Sequence, residues 1–193
     1  MLEKVTAATV EPITLSEAKN HLRVLSDDDD QLIRSYIKTA TAYCEQQVPG
    51  GRAFSQQTWK WKLHEFPSQS FEVPRPPLQS VSHVKYYATN SSTGLTTLSS
   101  TAYLVHKATR MPGEIELHPN KGSWPSVADR ADAVQVTFVA GSTSVDEQAI
   151  HAIKLLVSHY YDQRSTVLVG TISKEIEHGL RALLGSMGHG QYS

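Results

Sequence analysis

The hydrophobic period of this chain changes twice along its length, and that change limits the folds open to it. Apolar residues recur at helical spacing near both ends, whereas the middle of the chain alternates apolar and polar residues. A period near 3.6 marks helices that bury one face, and a period of two marks strands. No helix-length pattern interrupts the central stretch, so parallel βαβ units are not expected there. The pattern predicts an α+β fold: a small helical core of three to four helices with an inserted antiparallel β-subdomain.

We place the boundaries of this organisation at the two changes of period. Residues 1–52 are expected to form an N-terminal helical hairpin, and residues 53–142 the β-rich inserted subdomain. Residues 143–193 are expected to form C-terminal helices with a flexible, glycine-rich tail, packing with residues 1–52 as one core. With 193 residues, the chain is long enough to bury such a core without a metal ion or a disulfide.

The N-terminal hairpin carries its own start and stop signals. Thr14 and Glu17 have the spacing of a capping box, which predicts a first helix ending near Val24. An acidic run at residues 27–30 precedes a second amphipathic helix, whose apolar stripe is Ile33, Tyr36, Ile37, Ala40 and Cys44. The sequence Pro49-Gly50-Gly51 is expected to end this helix.

The C-terminal part contains the longest predicted helix. Ser144 and Glu147 have the spacing of a second capping box, and apolar residues follow at helical spacing from Ile150 to Tyr161. A last short helix is predicted from Ser173 to about Leu184. About six short strands are predicted in the central part, near Trp59–Leu63, Phe71–Val73, Val81–Tyr87, Tyr103–His106, Ile115–Leu117 and Val134–Val139.

Charge and composition exclude several classes of protein. The formal net charge is −1, so no global field attracts nucleic acid or an anionic membrane. Cys44 is the only cysteine, which excludes an intrachain disulfide and every zinc site that needs paired cysteines. No apolar run long enough for a signal peptide or a membrane span is found. We therefore expect a protein made in the cytosol, with no membrane partner.

The chain offers little for catalysis or metal binding. The acidic run lacks the alternating spacing of a calcium loop, so it is interpreted as helix capping. The nine histidines include no pair at metal-binding spacing, and Cys44 lies on the buried stripe of a helix. No nucleophile motif or phosphate-binding glycine loop occurs. We expect no catalytic residue, no metal and no cofactor, and so no enzyme.

Several segments together resemble a known family. They are Glu11–Val24, Asp28–Val48, Gly51–Phe54 with Gln57–Trp59, Pro74–Val81, Ala133–Gly141 and Ile150–Arg164. In order and spacing they are similar to the phage head–tail connector proteins, also called adaptor or head-completion proteins, in the branch with a β-rich insertion. The resemblance extends from Glu11 to about Gly170. The chain departs from the family pattern in Pro49-Gly50-Gly51, in the turn at residues 90–94 and in its glycine- and histidine-rich end.

The resemblance implies a structural virion protein that forms a ring, twelve copies in the virion, under the portal. Its implied partners are copies of itself, the portal protein and a downstream connector or tail-completion protein. Genomic DNA would pass through the lumen without sequence recognition, and the location would be the virion neck, assembled in the bacterial cytoplasm.

A ring needs two different complementary patches on each subunit, and Tyr and Arg are frequent anchors in such patches. For one patch the predicted residues are those of the helix face from Tyr36 to Tyr43, and for the other they are Tyr160, Tyr161, Arg164, Val167, Leu168 and Val169. Leu180, Leu183 and Leu184 are also predicted to contact a neighbouring copy or the portal. The competing interpretation is that Tyr36 and Tyr160 close the helical core of a single chain.

Two alternatives to the connector remain open from the sequence. One is another neck or tail-completion virion protein with a related layout. The other is a small metal-dependent hydrolase with a site assembled from Asp28, Glu45, His64 and His106. These four residues share no recognisable motif.

Overall fold

The computed structural model describes residues 1–67, 69–89, 94–109, 111–163 and 174–188. The chain folds into two compact units. A helical unit contains residues 10–55 and 143–193, and a β unit contains residues 1–9 and 56–142. The fold is therefore α+β, as the change of hydrophobic period predicted.

Within the described residues, the helical unit contains four helices. They are α1 (Leu15–Leu22), α2 (Asp30–Gln47), α3 (Glu147–Asp162) and α4 (Lys174–Gly185). The predicted start of α4 at Ser173 lies outside the described residues, but the helix itself and its end are close to the prediction.

The start of α1 confirms the first predicted capping box. The Thr14 side chain accepts a hydrogen bond from the Glu17 backbone N–H at 3.2 Å, and the Thr14 backbone N–H donates to Glu17 Oε2 at 2.8 Å. The hydrogen bonds that the Thr14 backbone N–H and the Thr14 hydroxyl donate to the Glu17 carboxylate lower the pKa of Glu17. Helix α1 ends where Arg23 adopts the left-handed conformation (φ 57°).

Helix α2 ends at the break that the sequence predicted. Val48 leaves the helical conformation, and Gly50 and Gly51 both have positive φ, at 81° and 70°. Glycine adopts these values without the steric cost that a Cβ would bring. The Gly51 N–H donates to the Val48 carbonyl at 2.7 Å, which closes the turn.

The predicted capping box at the start of α3 is wrong. The helix begins at Glu147, and Asp146 rather than Ser144 occupies the N-cap position. The Asp146 side chain makes no capping hydrogen bond; its carboxylate lies 3.7 Å from the Arg52 guanidinium. A tertiary ion pair therefore replaces the local cap.

The core of the helical unit is formed by the apolar stripes of all four helices. Its fully buried members include Ile33, Ile37 and Cys44 of α2 with Ile153 and Leu156 of α3. Burial raises the pKa of the Cys44 thiol to about 12. The thiol is thus protonated at neutral pH and acts as a small apolar side chain, as predicted.

In the part of the β unit that the structure describes there are eight strands. They are β1 (Leu2–Thr6), β2 (Gln57–Leu63), β3 (Ser70–Val73), β4 (Leu78–Tyr86), β5 (Thr96–Thr97), β6 (Tyr103–His106), β7 (Gly113–Leu117) and β8 (Val134–Ala140). All pairings are antiparallel. They form a five-stranded sheet in the order β1-β2-β8-β4-β5 and a three-stranded sheet in the order β3-β7-β6.

All six predicted strands are present, and two strands were missed. Residues 1–6 were assigned to the helical hairpin, but Leu2–Thr6 instead forms the edge strand β1 of the β unit. Four of its five side chains are exposed, so no buried pattern marks it in the sequence. It is held by backbone pairing with β2, which extends to the Met1 amino group, a donor to the Lys62 carbonyl at 2.7 Å.

The two sheets pack through apolar faces that contain several aromatic rings. The Trp61 and Phe71 rings, one from each sheet, have centroids 5.9 Å apart. Trp124, from the long connection before β8, stacks on Phe66 with centroids 4.6 Å apart and contacts Phe71 at 5.9 Å. Since alternate side chains of a strand point to opposite faces, the polar residues of both sheets lie on the outer faces of this unit.

None of the helices in the described part of the chain is both long enough and apolar enough to cross a membrane.

Candidate assembly interface

Helices α2 and α3 bring together two of the tyrosines predicted at an interface. Tyr36 and Tyr160 have ring centroids 5.8 Å apart and an interplanar angle of 45°. Both rings are half-buried and pack against the helical core. Each therefore closes the core on one side and presents an edge to solvent on the other. The two rings lie together on one surface and not on two separate patches, and their part in a ring interface stays a prediction.

Tyr43 lies two helical turns after Tyr36 on α2 and joins this cluster. Burial raises the pKa of Tyr43, and the negative charge of Glu177 on α4 raises it further. The pKa of Tyr160 is also raised by burial, and Tyr43 contributes to that rise. Tyr36 and Tyr43 of α2 and Tyr160 of α3 thus form one aromatic strip over two helices.

Tyr161 points to a different neighbour, the acidic run at the start of α2. Its hydroxyl donates a hydrogen bond to Asp29 Oδ2 at 2.8 Å. Asp29 occupies the N-cap position of α2, but its side chain does not cap the helix. This bond ties the C-terminal turn of α3 to the N-terminus of α2.

Two other carboxylates of the acidic run, those of Asp27 and Asp30, make ion pairs rather than caps. Lys19 of α1 donates to Asp27 at 2.5 Å and to Asp30 at 2.8 Å. Its positive charge lowers the pKa of Asp27. The predicted location at a helix start is confirmed, but the predicted capping is wrong, because the carboxylates are used to join α1 to α2.

The leucines predicted at the interface occupy two kinds of position. Leu180 and Leu184 of α4 are 2% and 0% exposed within the helical core, so a neighbouring copy cannot reach them without opening that core. Leu183 is half-buried and packs against the same core from its edge. Arg164, Val167, Leu168 and Val169 lie outside the described residues.

The four residues considered for a hydrolase have separate local partners. Asp28 accepts a hydrogen bond from Ser26, and Glu45 accepts one from the Phe54 backbone N–H at 2.9 Å. His64 pairs with Asp129 at 2.9 Å, and His106 with Glu116 at 2.8 Å. Within the described ranges, no group of three or more His, Cys, Asp or Glu residues could hold a metal ion.

A buried polar pair in the helical unit was missed by sequence reasoning. Glu45 and Arg52 are 4% and 6% exposed, and they stand on either side of the Pro-Gly-Gly break. The Arg52 backbone N–H donates to the Glu45 carbonyl at 3.0 Å, while the Glu45 carboxylate accepts from Phe54. Glu45 is a charged residue on the buried stripe of α2, one position after Cys44. That position is the signal that could have revealed the buried pair.

This geometry suits binding through surfaces. A half-exposed aromatic strip lies on a helical unit, and the β unit is a two-sheet body with polar outer faces. Such surfaces suit a protein that acts by contact with other proteins.

The comparisons with known proteins agree with that class. The sequence matches the family described as phage gp6-like head-tail connector protein over residues 12–121, which is more than half of the chain. The chain belongs to this family of head–tail connectors, and its role is that of a head–tail connector.

Solved structures share the fold over the whole chain. One chain in the neck of an empty GTA particle, computed with C6 symmetry, is 19% identical with a TM-score of 0.77. A chain in the virion of a native gene transfer agent (GTA) particle is 20% identical, also with a TM-score of 0.77. A third, in the neck of a native GTA particle computed with C12 symmetry, is 20% identical with a TM-score of 0.74. Each match covers 100% of this chain and 97% of the other.

No curated protein matches the chain.

Proposed function

We propose that this chain is the repeating subunit of a ring in the neck of a virion, where it joins the DNA-filled head to the tail. The observation that carries this proposal is the match to the connector family, combined with a fold shared over the full chain with proteins of a particle neck. Those neck structures were computed with C6 and C12 symmetry, which supports a ring of twelve copies for this chain.

A closed ring requires a heterologous interface, in which one surface of each copy meets a different surface of the next. The aromatic strip of Tyr36, Tyr43 and Tyr160, with Leu183 beside it, supplies one such surface. Half-buried tyrosines suit this role because they lose little conformational freedom on binding and keep a polar hydroxyl at the rim. The opposing surface is the predicted segment with Arg164 and Val167–Val169, next to Tyr161.

The ring would sit between two other proteins, with DNA in its channel. One face binds the portal, and the other binds a downstream connector or tail-completion protein. Duplex DNA would pass through the lumen without sequence recognition. The formal charge of −1 per chain suits such a conduit, because a strongly basic lumen would hold the duplex through its phosphates.

The role proposed is one of geometry and binding, with no bond made or broken. Assembly would take place in the cytoplasm of the bacterial host, on a head that has finished packaging. A different neck or tail-completion position is the second candidate, favoured by the same neck-protein fold.

The test is the mass of the purified protein by light scattering, alone and with its cognate portal, followed by electron microscopy of the particles. A ring alone, or a stoichiometric complex with the portal, would support the connector role. A monomer that does not bind the portal would refute it.

Y36A and Y160A should weaken the ring, whereas R34A, at an exposed position of the same helix as Tyr36, should leave it unchanged. Circular dichroism distinguishes lost assembly from lost folding.

A further inference from the structure

The outer face of the five-stranded sheet carries a group of positive side chains. Strands β2 and β4 flank the central strand β8, and alternate residues of these strands share one face. Two cross-strand rows on that face read Lys60–Thr137–His83 and Lys62–Gln135–Lys85. We call Lys60, Lys62, His83 and Lys85 the basic face.

The charge of the basic face is only partly balanced within the chain. Lys62 forms an ion pair with Glu3 of β1 at 3.0 Å. Glu3 lies directly across from Lys60 in the pairing of β1 with β2, but its carboxylate pairs with Lys62. Among the described residues, no carboxylate lies within ion-pair distance of Lys60 or Lys85. Burial lowers the pKa of His83, and the positive charges of Lys85 and Lys60 lower it further. His83 is therefore uncharged at neutral pH, and the positive charge of this face comes from its lysines, which repel one another in the isolated chain.

The outer face of the three-stranded sheet has the opposite sign. Glu72 of β3 lies directly across from Glu114 of β7, and Glu116 lies on the same face of β7. Like charges placed directly opposite destabilise a strand pair. His106 pairs with Glu116 at 2.8 Å, but Glu72 and Glu114 have no cationic partner in the described part of the chain. We call Glu72, Glu114 and Glu116 the acidic face.

The basic and acidic faces look away from each other. Trp61 and Phe71 lie on the inner faces of their sheets, with ring centroids 5.9 Å apart. Their neighbours in the strands, Lys60 and Lys62 in one sheet and Glu72 in the other, therefore point outward on opposite sides of the β unit. The β unit thus presents opposite charges on opposite sides.

We propose that, in the ring, the basic face of one copy docks on the acidic face of the next. This inference rests on the proposed ring. In a twelvefold ring successive copies are rotated by about 30°, so the two contact surfaces of one copy are about 150° apart. The two outer faces of a pair of packed sheets satisfy this requirement. Docking places Glu72 and Glu114 opposite Lys60 and Lys85, which relieves the like-charge repulsion on both faces at once.

A second copy is a better partner for these faces than duplex DNA. DNA phosphates would neutralise the basic face but would leave the opposed pair Glu72 and Glu114 unrelieved. Only a partner with both a positive and a negative surface neutralises both faces, and a second copy of this chain has both surfaces. The experiments must therefore distinguish docking of a second copy from DNA binding at the basic face.

The first experiment is chemical cross-linking across the interface. Rings assembled from an equal mixture of ¹⁴N and ¹⁵N protein, with portal if the wild type needs it, are treated with a carbodiimide that joins carboxylates directly to amines. Mass spectrometry should find mixed-isotope peptides that join Glu72 or Glu114 to Lys60 or Lys85. Rings in which these glutamates and lysines are never joined between copies would overturn the proposal.

The second experiment exchanges the charges. K60E/K85E makes both faces of a copy acidic, and E72K/E114K makes both faces basic, so each variant alone should lose at least about tenfold in assembly affinity. An equal mixture of the two should assemble again, because the copies can alternate around a ring of even number. K38E/K121E changes the charge equally at exposed positions outside both faces and should assemble as the wild type does.

The outcomes separate this proposal from the ring itself. If the wild type forms no ring, alone or on the portal, the proposed function fails and the docking fails with it. If the wild type forms rings but K60E/K85E also does, the docking alone is wrong. Loss of duplex DNA binding by K60E/K85E, measured by fluorescence anisotropy, with assembly intact would assign the basic face to DNA instead. Every variant must have the same circular dichroism and tryptophan fluorescence spectra as the wild type, which shows that it is folded.

Discussion

The buried carboxylate of Glu45 supports the turn by which the chain leaves helix α2, and E45A tests that role. The carboxylate accepts the Phe54 backbone N–H at 2.9 Å in a buried position. Removing it leaves that donor without its acceptor, at a cost of about 1–3 kcal/mol. The lost burial of one methylene adds about 0.8 kcal/mol. The free energy of unfolding of the helical unit should therefore fall by about 2–4 kcal/mol.

Urea denaturation followed by two probes measures this change. Circular dichroism at 222 nm follows the helices, whereas tryptophan fluorescence follows the β unit, because Trp59, Trp61 and Trp124 all lie in it. With a urea slope of about 1–2 kcal/mol per molar, the helical midpoint should fall by at least about 1 M. E45Q keeps an oxygen acceptor for Phe54 and should lie between E45A and the wild type.

The matched control is Q46A, at the next and exposed position of the same helix. It should change stability by less than about 0.5 kcal/mol. If E45A were no more destabilising than Q46A, the Phe54 N–H would have another acceptor, and the reasoning about this turn would be refuted.

Three further predictions concern packing, a hydrogen bond and a thiol. G113A places a Cβ 2.4 Å from the Leu78 Cβ, so it should destabilise the β unit by about 1–3 kcal/mol in fluorescence-monitored urea curves, while G122A, with nothing within 4 Å, should not; equal midpoints would contradict this packing. Y161F removes the hydroxyl bonded to the start of α2 and should cost about 0.5–1.5 kcal/mol at 222 nm, and no loss would mean that the bond contributes nothing. The pKa of Cys44 is raised to about 12, so the stability that its protonated thiol contributes is complete below pH 9.0 and is lost as pH rises toward 12. A thiol reagent should therefore label the folded protein slowly even at about pH 10, and fast labelling there would count against the buried position.

Much of the fold could be predicted because its signals are local. Four helices and six strands follow from hydrophobic period, from one capping box and from the Pro-Gly-Gly break, each of which acts within a few residues. The family resemblance, read from the order of such segments, is confirmed by the match over residues 12–121. Strand β1 could not be found in this way, because its exposed side chains carry no pattern and its pairing is made by the backbone.

The interface was harder to predict, since burial depends on which helix faces pack together. Leu180, Leu183 and Leu184 look alike in the sequence, yet Leu180 and Leu184 are buried in the core and Leu183 is at its edge. Tyr36 and Tyr160 were assigned to two different patches, but their rings lie 5.8 Å apart because α2 and α3 are placed side by side. Their part in a ring stays a prediction.

The sequence by itself determined the helices, most strands, the buried thiol and the membership of a connector family, because spacing and capping are properties of neighbouring residues. Only the tertiary structure decided that the acidic run pairs with Lys19 and Tyr161 and that Ser144 does not cap α3. It also decided that lysines and glutamates of different sheets form opposite faces of one unit. These features join residues that are distant in the chain, and a side chain chooses such a partner only when the packing of sheets and helices brings the two within reach.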